Sequence, residues 1–379
     1  MRKQIGRNTT TIVFTVFIGI FLRFMCMAWG YNFDWESYCI VGDIASHLKN
    51  VYAETSRYNY GPIFFCVQGL FYKISQIKPS HSENLYRILM VSLLTFGDLG
   101  ISYFIAKRFS IENAIMFFLN PISIIITGYH NQFDNLAILL ALSTINFYNE
   151  EKGINKRDWG FVLMLALSLI TKHILFMLPV FIFFRPNLQF RKKCFYMVVP
   201  VAIFICSFLP FTINHLGFEG VLNNVFLYRS FNNAPLFYFL YNLISFPNRY
   251  KIIVYMALMI IVAFITRKEK YDYQVMFYLI AMVAFSSAIA NQYLVIPMVA
   301  LCVFDIGNLR YLYMILAGAG LVINGDGLGL SAIADRFPSL ICNLINYYDK
   351  GKYIVSAWTL FIILIFILLK KRKLISIEV

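Results

Sequence analysis

Short clusters of lysine and arginine alternate with long apolar runs along this chain. Arg2, Lys3 and Arg7 come first. Lys107-Arg108, then Lys152, Lys156 and Arg157, then Arg185, Arg191, Lys192 and Lys193 follow; Arg267, Lys268 and Lys270, Arg310, and Lys370 to Lys373 complete the series. Basic residues collect in the cytoplasmic loops of membrane proteins. Each stretch between two clusters must therefore cross the bilayer an even number of times. Only 14% of the 379 residues are charged, against roughly 25% in a soluble domain. Too few charges remain to clothe a water-facing surface, so the chain is expected to be an all-α polytopic integral membrane protein.

The even-crossing constraint fixes most of the topology. Thr11 to Gly30 is long enough to cross a bilayer at about 1.5 Å per residue, and it leaves the N-terminus inside. Trp159 to Phe184 lies between two basic loops and is predicted to be two short helices, with Thr171-Lys172-His173 at the outer tip. Ile111 to Gly128 runs out and Phe133 to Tyr148 returns, which leaves 129–134 outside. Phe195 to Thr212 runs out, 214–249 lies outside or dips in from that side, and Ile252 to Thr266 returns. Val275 to Ala290 exits, Asn291-Gln292-Tyr293 forms an outer tip, and Leu294 to Phe304 returns. Tyr311 to Ile323 exits, 324–352 is an outer loop, and Tyr353 to Leu369 brings the C-terminus inside. Tyr60 to Ile77 and Leu85 to Ala106 cannot both cross, so 61–78 is expected to lie in the interface plane or to be re-entrant on the outer side. About twelve crossings result. Two modules are expected: 1–230 with an outer loop over 31–84, and 231–379 on the lipid-donor and acceptor side.

The net charge of +14 belongs to inner loops. With no nucleic-acid motif in the sequence, no nucleic-acid partner is expected. The seven cysteines have no CxxC spacing and most fall in apolar runs, so neither a metal nor a disulfide framework is expected. No cofactor is expected. Arg2-Lys3 before an apolar run resembles a signal peptide, but the run is too long and lacks a small-residue cleavage site. It is assigned to a retained first helix.

This topology, built from charge and length alone, gathers polar residues on one face: Asp34, Glu36, Asp43, His130, Gln132, Asp134, Lys172, His173, Arg229, Asn291 and Gln292. Ionisable groups at membrane depth cost about 2.5–3.5 kcal/mol each and are functional candidates. Asp34 and Glu36, two acids flanked by aromatics, follow the first apolar segment directly. One-sided accumulation suggests a cavity for chemistry rather than an ion path.

Several stretches resemble the GT-C glycosyltransferases, polytopic enzymes that take a sugar from a polyprenyl-phosphate carrier. Asp34-Trp35-Glu36-Ser37-Tyr38, Asn50-Val51-Tyr52 and Tyr58-Asn59-Tyr60-Gly61-Pro62 are similar to the family's first outer loop. Arg87 with Asp98 looks like its Arg…Asp segment. Pro121 followed by Gly128-Tyr129-His130-Asn131-Gln132-Phe133-Asp134-Asn135 resembles its Pro…Gly-His-Phe-Gln-Tyr-Asn motif. Lys172-His173 with Pro179 resembles Lys-Gln…Pro, and Leu209-Pro210-Phe211 its Leu-Pro-Phe. The likeness is nearest to dolichyl-phosphate-glucose glucosyltransferases and polyprenyl-phosphate mannosyltransferases, and it covers roughly 30–230. Asn59-Tyr60-Gly61-Pro62 stands where the family has Asp-Tyr-Pro-Pro, and the second half has no clear counterpart.

The resemblance implies that Asp34 is the base that takes the acceptor proton, with Glu36 in support. The alternative for Asp34 is a hydrated interfacial acid or a helix cap. Lys172, His173 and Arg229 are the candidates for the donor phosphate, by charge and hydrogen bonding; Lys172 could instead be a snorkelled helix end and His173 a packed polar residue. His130, Gln132 and Asp134 could orient sugar hydroxyls, though Asp134 could instead cap the returning helix. Gln292 and Tyr293, beside Asn291, could border the donor. Arg87 and Asp98 suggest helix packing. The aromatic stretch 235–247 suggests packing or a lipid groove.

The expected partners are a polyprenyl-phosphate sugar donor, a glycan or glycolipid acceptor, and membrane lipids. A prokaryotic plasma membrane is favoured by the short chain; the endoplasmic reticulum applies if the protein is eukaryotic. A flippase or transporter for lipid-linked glycans, and a glycan polymerase using a diphosphate donor, are the competing functions.

Overall fold

A computed structural model describes residues 2–228, 250–324 and 327–371, and these residues are helical without a β-strand. Arg229 and the aromatic stretch 235–247 lie outside them. Among the described residues, four helical stretches are long and apolar enough to cross a membrane: Thr10–Trp29, Pro79–Arg108, Phe190–Phe211 and Ser339–Lys371. The bent pair Ile111–Phe118 and Pro121–Gly128 makes five if it counts as one span. Five shorter apolar helices accompany them: Asp134–Phe147, His173–Phe183, Lys251–Ile265, Asn291–Val303 and Leu309–Ile323.

The chain forms two compact units. One takes Ile20–Ile101 and Thr127–Ser230; the other takes Met1–Gly19, Ser102–Ile126 and Phe231–Val379. Residues 1–19 and 102–126 group with the C-terminal part.

α1 (Arg2–Trp29), divided between the two units at Gly19, delivers the chain to α2 (Asp34–Ser46) of the first. Asp34 and Glu36 lie in the first turn of α2, where acids complement the helix dipole. After the single turn α3 (Val51–Glu54), α4 (Pro62–Ser75) begins with proline at its first position, where the missing N–H costs nothing. α2 and α4 pack together, with Gly69 placed against Ala45. α5 (Ser82–Arg108) contributes Tyr86 to an aromatic core that also holds Trp35, Tyr38, Phe64 and Phe133. Phe64 and Phe133 stack with ring centroids 3.6 Å apart.

The expected single helix over 111–128 is broken into α6 (Ile111–Phe118) and α7 (Pro121–Gly128), 47° apart. Pro121 has no N–H to continue the ladder, and Asn120 Oδ1 accepts the Ile122 N–H at 2.8 Å to start a new helix. α8 (Asp134–Phe147) packs along α9 (Lys156–Thr171), and the Ser168 hydroxyl donates to the Ala137 carbonyl at 2.7 Å. The helix stops at Lys172, as the sequence predicted. Lys172 is extended (φ −155°, ψ 120°), and a 3-10 turn His173–Leu175 and α10 (Leu178–Phe183) follow. α11 (Phe190–Cys206) lies against α9; Lys192 pairs with buried Asp158 at 2.8 Å, and the Tyr196 hydroxyl donates to the same carboxylate. α12 (His215–Val221) and a π-turn Leu222–Phe226 follow.

The second unit holds α13 (Lys251–Ile265), α14 (Tyr271–Ala284), α15 (Met298–Val303), α16 (Leu309–Ile323) and α17 (Ser339–Lys371). α14 is buried around nearly its whole circumference. The expected loop over 324–352 is corrected: α17 begins at Ser339, just after Pro338, and runs 33 residues without a break. At 1.5 Å per residue it is about 50 Å long, well beyond the roughly 30 Å hydrocarbon core. Nothing between 339 and 371 stops it: Gly351 is tolerated in open space, and Lys352 pairs with Asp349 one turn back.

Candidate functional site

Asp34 meets the turn between α7 and α8. Asn131 shapes that turn: its backbone is left-handed (φ 54°), a conformation asparagine tolerates, and its amide donates to the Thr127 and Gly128 carbonyls at 3.2 and 3.0 Å. This presents His130 and Gln132 from one short loop, with Asp134 opening α8. Gln132 Nε2 donates to Asp34 Oδ2 at 2.6 Å. Asn32, two residues before Asp34, donates to the same oxygen at 3.2 Å and lies 2.8 Å from His130 Nδ1.

Lys172 closes the cluster from the break after α9. Its ammonium donates to Gln132 Oε1 at 3.3 Å and to Asp134 Oδ2 at 2.7 Å. Lys172 is 2% exposed and Asp134 is fully buried, so this is a buried ion pair and neither charge reaches bulk water. The rings of Tyr60 and Phe133 stand 4.8 and 4.7 Å from the ammonium, within cation–π range. Burial first, then the Asp34 and Asp134 carboxylates, hold the Tyr60 phenol well above its ordinary value, so Tyr60 is a neutral hydroxyl here. Gly61 fixes the approach of this loop. A Cβ there would overlap the Ile170 carbonyl oxygen, two residues before Lys172.

Five predicted residues thus converge: Asp34, His130, Gln132, Asp134 and Lys172. His173 is half-buried beside them, its ring 6.2 Å from that of Tyr60, with Nδ1 lacking a hydrogen-bond partner among the described residues. Glu36 does not join. It is 57% exposed and pairs with Arg57 at 3.6 Å. Gln292 and Tyr293 sit on a 3-10 turn, Asn291–Val295, in the other unit. Among the described residues no group of three or more His, Cys, Asp or Glu side chains could hold a metal ion. No family model, curated protein or solved structure matches this chain.

The expected partnership of Arg87 with Asp98 is corrected. Asp98 Oδ2 accepts from Arg23 Nε at 2.8 Å and from the Thr127 hydroxyl at 2.7 Å, and Asp98 Oδ1 accepts from Asn135 Nδ2 at 2.5 Å. This knot ties α1, α5, α7 and α8 together directly beneath the turn that carries His130 and Gln132. Arg87 instead donates to the Gly30 carbonyl at 2.6 Å and lies over the Tyr31 and Trp35 rings, which clamps the link into α2. Arg23 and Asn32 escaped the sequence reading. A lone arginine inside an apolar helix was a visible signal for Arg23. Asn32 had none, because its role depends on a residue 98 positions away.

Proposed function

We propose that the chain is an inverting glycosyltransferase of the GT-C type. It moves a hexose from a polyprenyl-phosphate carrier to a hydroxyl of a lipid-linked glycan or other cell-surface acceptor at the outer membrane face. In this reading the helices make about twelve crossings, both termini face the cytoplasm of a prokaryotic plasma membrane, and α2 and α4 lie in the outer interface. The observation that carries it is the cluster itself. A carboxylate, Asp34, is aimed by two amides, and one of these reaches a buried ammonium, Lys172.

Asp34 accepts the acceptor's hydroxyl proton as the new C–O bond forms at the anomeric carbon. The bond from that carbon to the phosphate oxygen breaks on the opposite face, and polyprenyl phosphate departs. Lys172 supplies positive charge for that phosphate, with His173 adjacent. His130 and Asp134 face the sugar. Glu36 is a surface partner of Arg57 and takes no part.

The test uses purified protein in nanodiscs, with a panel of polyprenyl-phosphate glucose, mannose, galactose and arabinose. One donor should support transfer of single residues. Asp34→Asn should lose activity by about 10²–10⁴-fold, the usual range for a general base, at unchanged melting temperature. Wild-type rates from that variant would overturn the assignment.

A further inference from the structure

The cluster contains a directed chain of hydrogen bonds whose polarity is set by chemistry alone. A lysine ammonium has three donors and no acceptor. Gln132 therefore turns its oxygen to Lys172, and its NH₂ must face Asp34 at 2.6 Å. Asp34 Oδ2 is thus an acceptor, so the Asn32 contact to it at 3.2 Å comes from the Asn32 NH₂. That NH₂ has a second hydrogen, and the atom 2.8 Å away is His130 Nδ1. Nδ1 must then be an acceptor, and the ring proton sits on Nε2. The amide orientations and the tautomer follow from the network.

The far nitrogen completes the picture. His130 is fully buried, and its Nε2 has no hydrogen-bond partner among the described residues. A buried N–H without an acceptor costs roughly 1–3 kcal/mol, which a bound ligand oxygen would recover. Asn32 Oδ1 and Asp134 Oδ1 are likewise buried without a hydrogen-bond partner among the described residues. One neutral donor and two acceptors suit hydroxyl groups, which donate and accept, better than an anion. The two carboxylates of the cluster also disfavour an anion on the His130 side. The Tyr129 ring centroid lies 5.4 Å from that of His130, which makes Tyr129 a further titratable neighbour.

We infer that Asn32 is a positioning residue: by donating to both Asp34 and His130 it fixes His130 as the Nε2–H tautomer, a donor for one hydroxyl of the transferred sugar. The tautomer stands on geometry alone, while the hydroxyl rests on the glycosyltransferase reading. Burial supports the neutral state, lowering the His130 imidazole to about 3.

The test is ¹⁵N magic-angle-spinning spectroscopy of histidine-labelled protein in lipid at pH 5.5, with the His130 signal identified by its loss in His130→Gln. If that variant does not fold, through-space contacts to the Tyr129 ring identify it instead. Nitrogen Nε2 should carry the proton and Nδ1 should not. Asn32→Asp should move the proton to Nδ1 or charge the ring, and Asn32→Leu should lower kcat/KM roughly 10–100-fold, the loss of hydrogen bonds that include a charged partner. A wild-type Nδ1–H or imidazolium signal overturns the tautomer lock, whether or not sugar is transferred. A correct tautomer with no transfer from any donor overturns the glycosyltransferase reading and leaves the lock standing. With transfer established, deoxy-sugar donors decide the hydroxyl. One of them should lose rate with wild type but not with His130→Gln; equal losses in both for every deoxy sugar overturn that role.

Discussion

Replacing Arg23 with methionine isolates the knot beneath the site. Arg23→Met keeps the length and apolar stem of the side chain but removes the cation that lies 2.8 Å from Asp98, at a position where both partners are fully buried. Thr127 and Asn135 would still donate to the carboxylate, yet they carry no charge. Removing one partner of a buried pair costs about 3–5 kcal/mol, because the other charge is left uncompensated. With an unfolding entropy of roughly 2.1 cal/mol/K per residue over the chain, that becomes a fall of roughly 4–6 °C in melting temperature. The assay is thermal unfolding in one detergent, followed by tryptophan fluorescence and by loss of the monomer peak. Asp98→Asn added to Arg23→Met removes the stranded charge and keeps one acceptor, for the Thr127 hydroxyl, while its NH₂ can donate to the Asn135 oxygen once that amide turns over. The double variant should therefore recover most of the loss, a coupling in the 0.5–3 kcal/mol range of contacting residues. A single-variant shift below about 1 °C, or a double variant no better than the single, would refute a charged pair at this position.

Lys172→Met should be costlier than a surface lysine change, about 3–5 kcal/mol, because Asp134 is stranded in the same way; donor KM should rise, and an unchanged KM would remove Lys172 from the phosphate site. His130 gives a pH signature. Its folded value near 3 lies below the unfolded value of about 6.5, so the unfolded chain binds the extra proton between them and stability falls as pH falls through that window. The loss should be about 3 kcal/mol between pH 6.5 and 4, and melting curves of His130→Gln should show a shallower acid slope; parallel slopes would contradict it. Gly61→Ala should displace the backbone at Ile170 and with it Lys172, lowering stability by about 1–3 kcal/mol and slowing transfer; a variant with wild-type melting and rate would show that this contact does not set the lysine.

Charge and length carried the helical class and the position of the chain break at Lys172, because both follow from local hydropathy. Neither foretold that α17 runs on from Ser339. Polar residues such as Asn343 and Asp349 look like a loop when read for membrane depth, yet nothing in 339–371 opposes a helix. The kink at Asn120-Pro121 was legible in principle, since proline lacks the donor that a continuous helix needs. Among site residues, Asp34, His130, Gln132, Asp134 and Lys172 stood out as costly polar groups beside apolar runs. Glu36 shared that look, but it lies two residues after Asp34 on a helix, where i and i+2 do not share a face. The partner of Asp98 could not be read, because side chains 75 positions apart meet only once the helices pack.

The ion pair at the centre of the cluster also joins two helix ends. Asp134 is the first residue of α8, and Lys172 directly follows the last residue of α9. The partial positive charge of the α8 N-terminus therefore already favours the carboxylate, and the partial negative charge of the α9 C-terminus the ammonium. Each member has a second source of compensation built into the backbone. An anion that drew Lys172 toward itself would leave Asp134 only the partial charge of its own helix end, worth about 0.3–2 kcal/mol, which offsets part of the cost of exchanging one counter-ion for another.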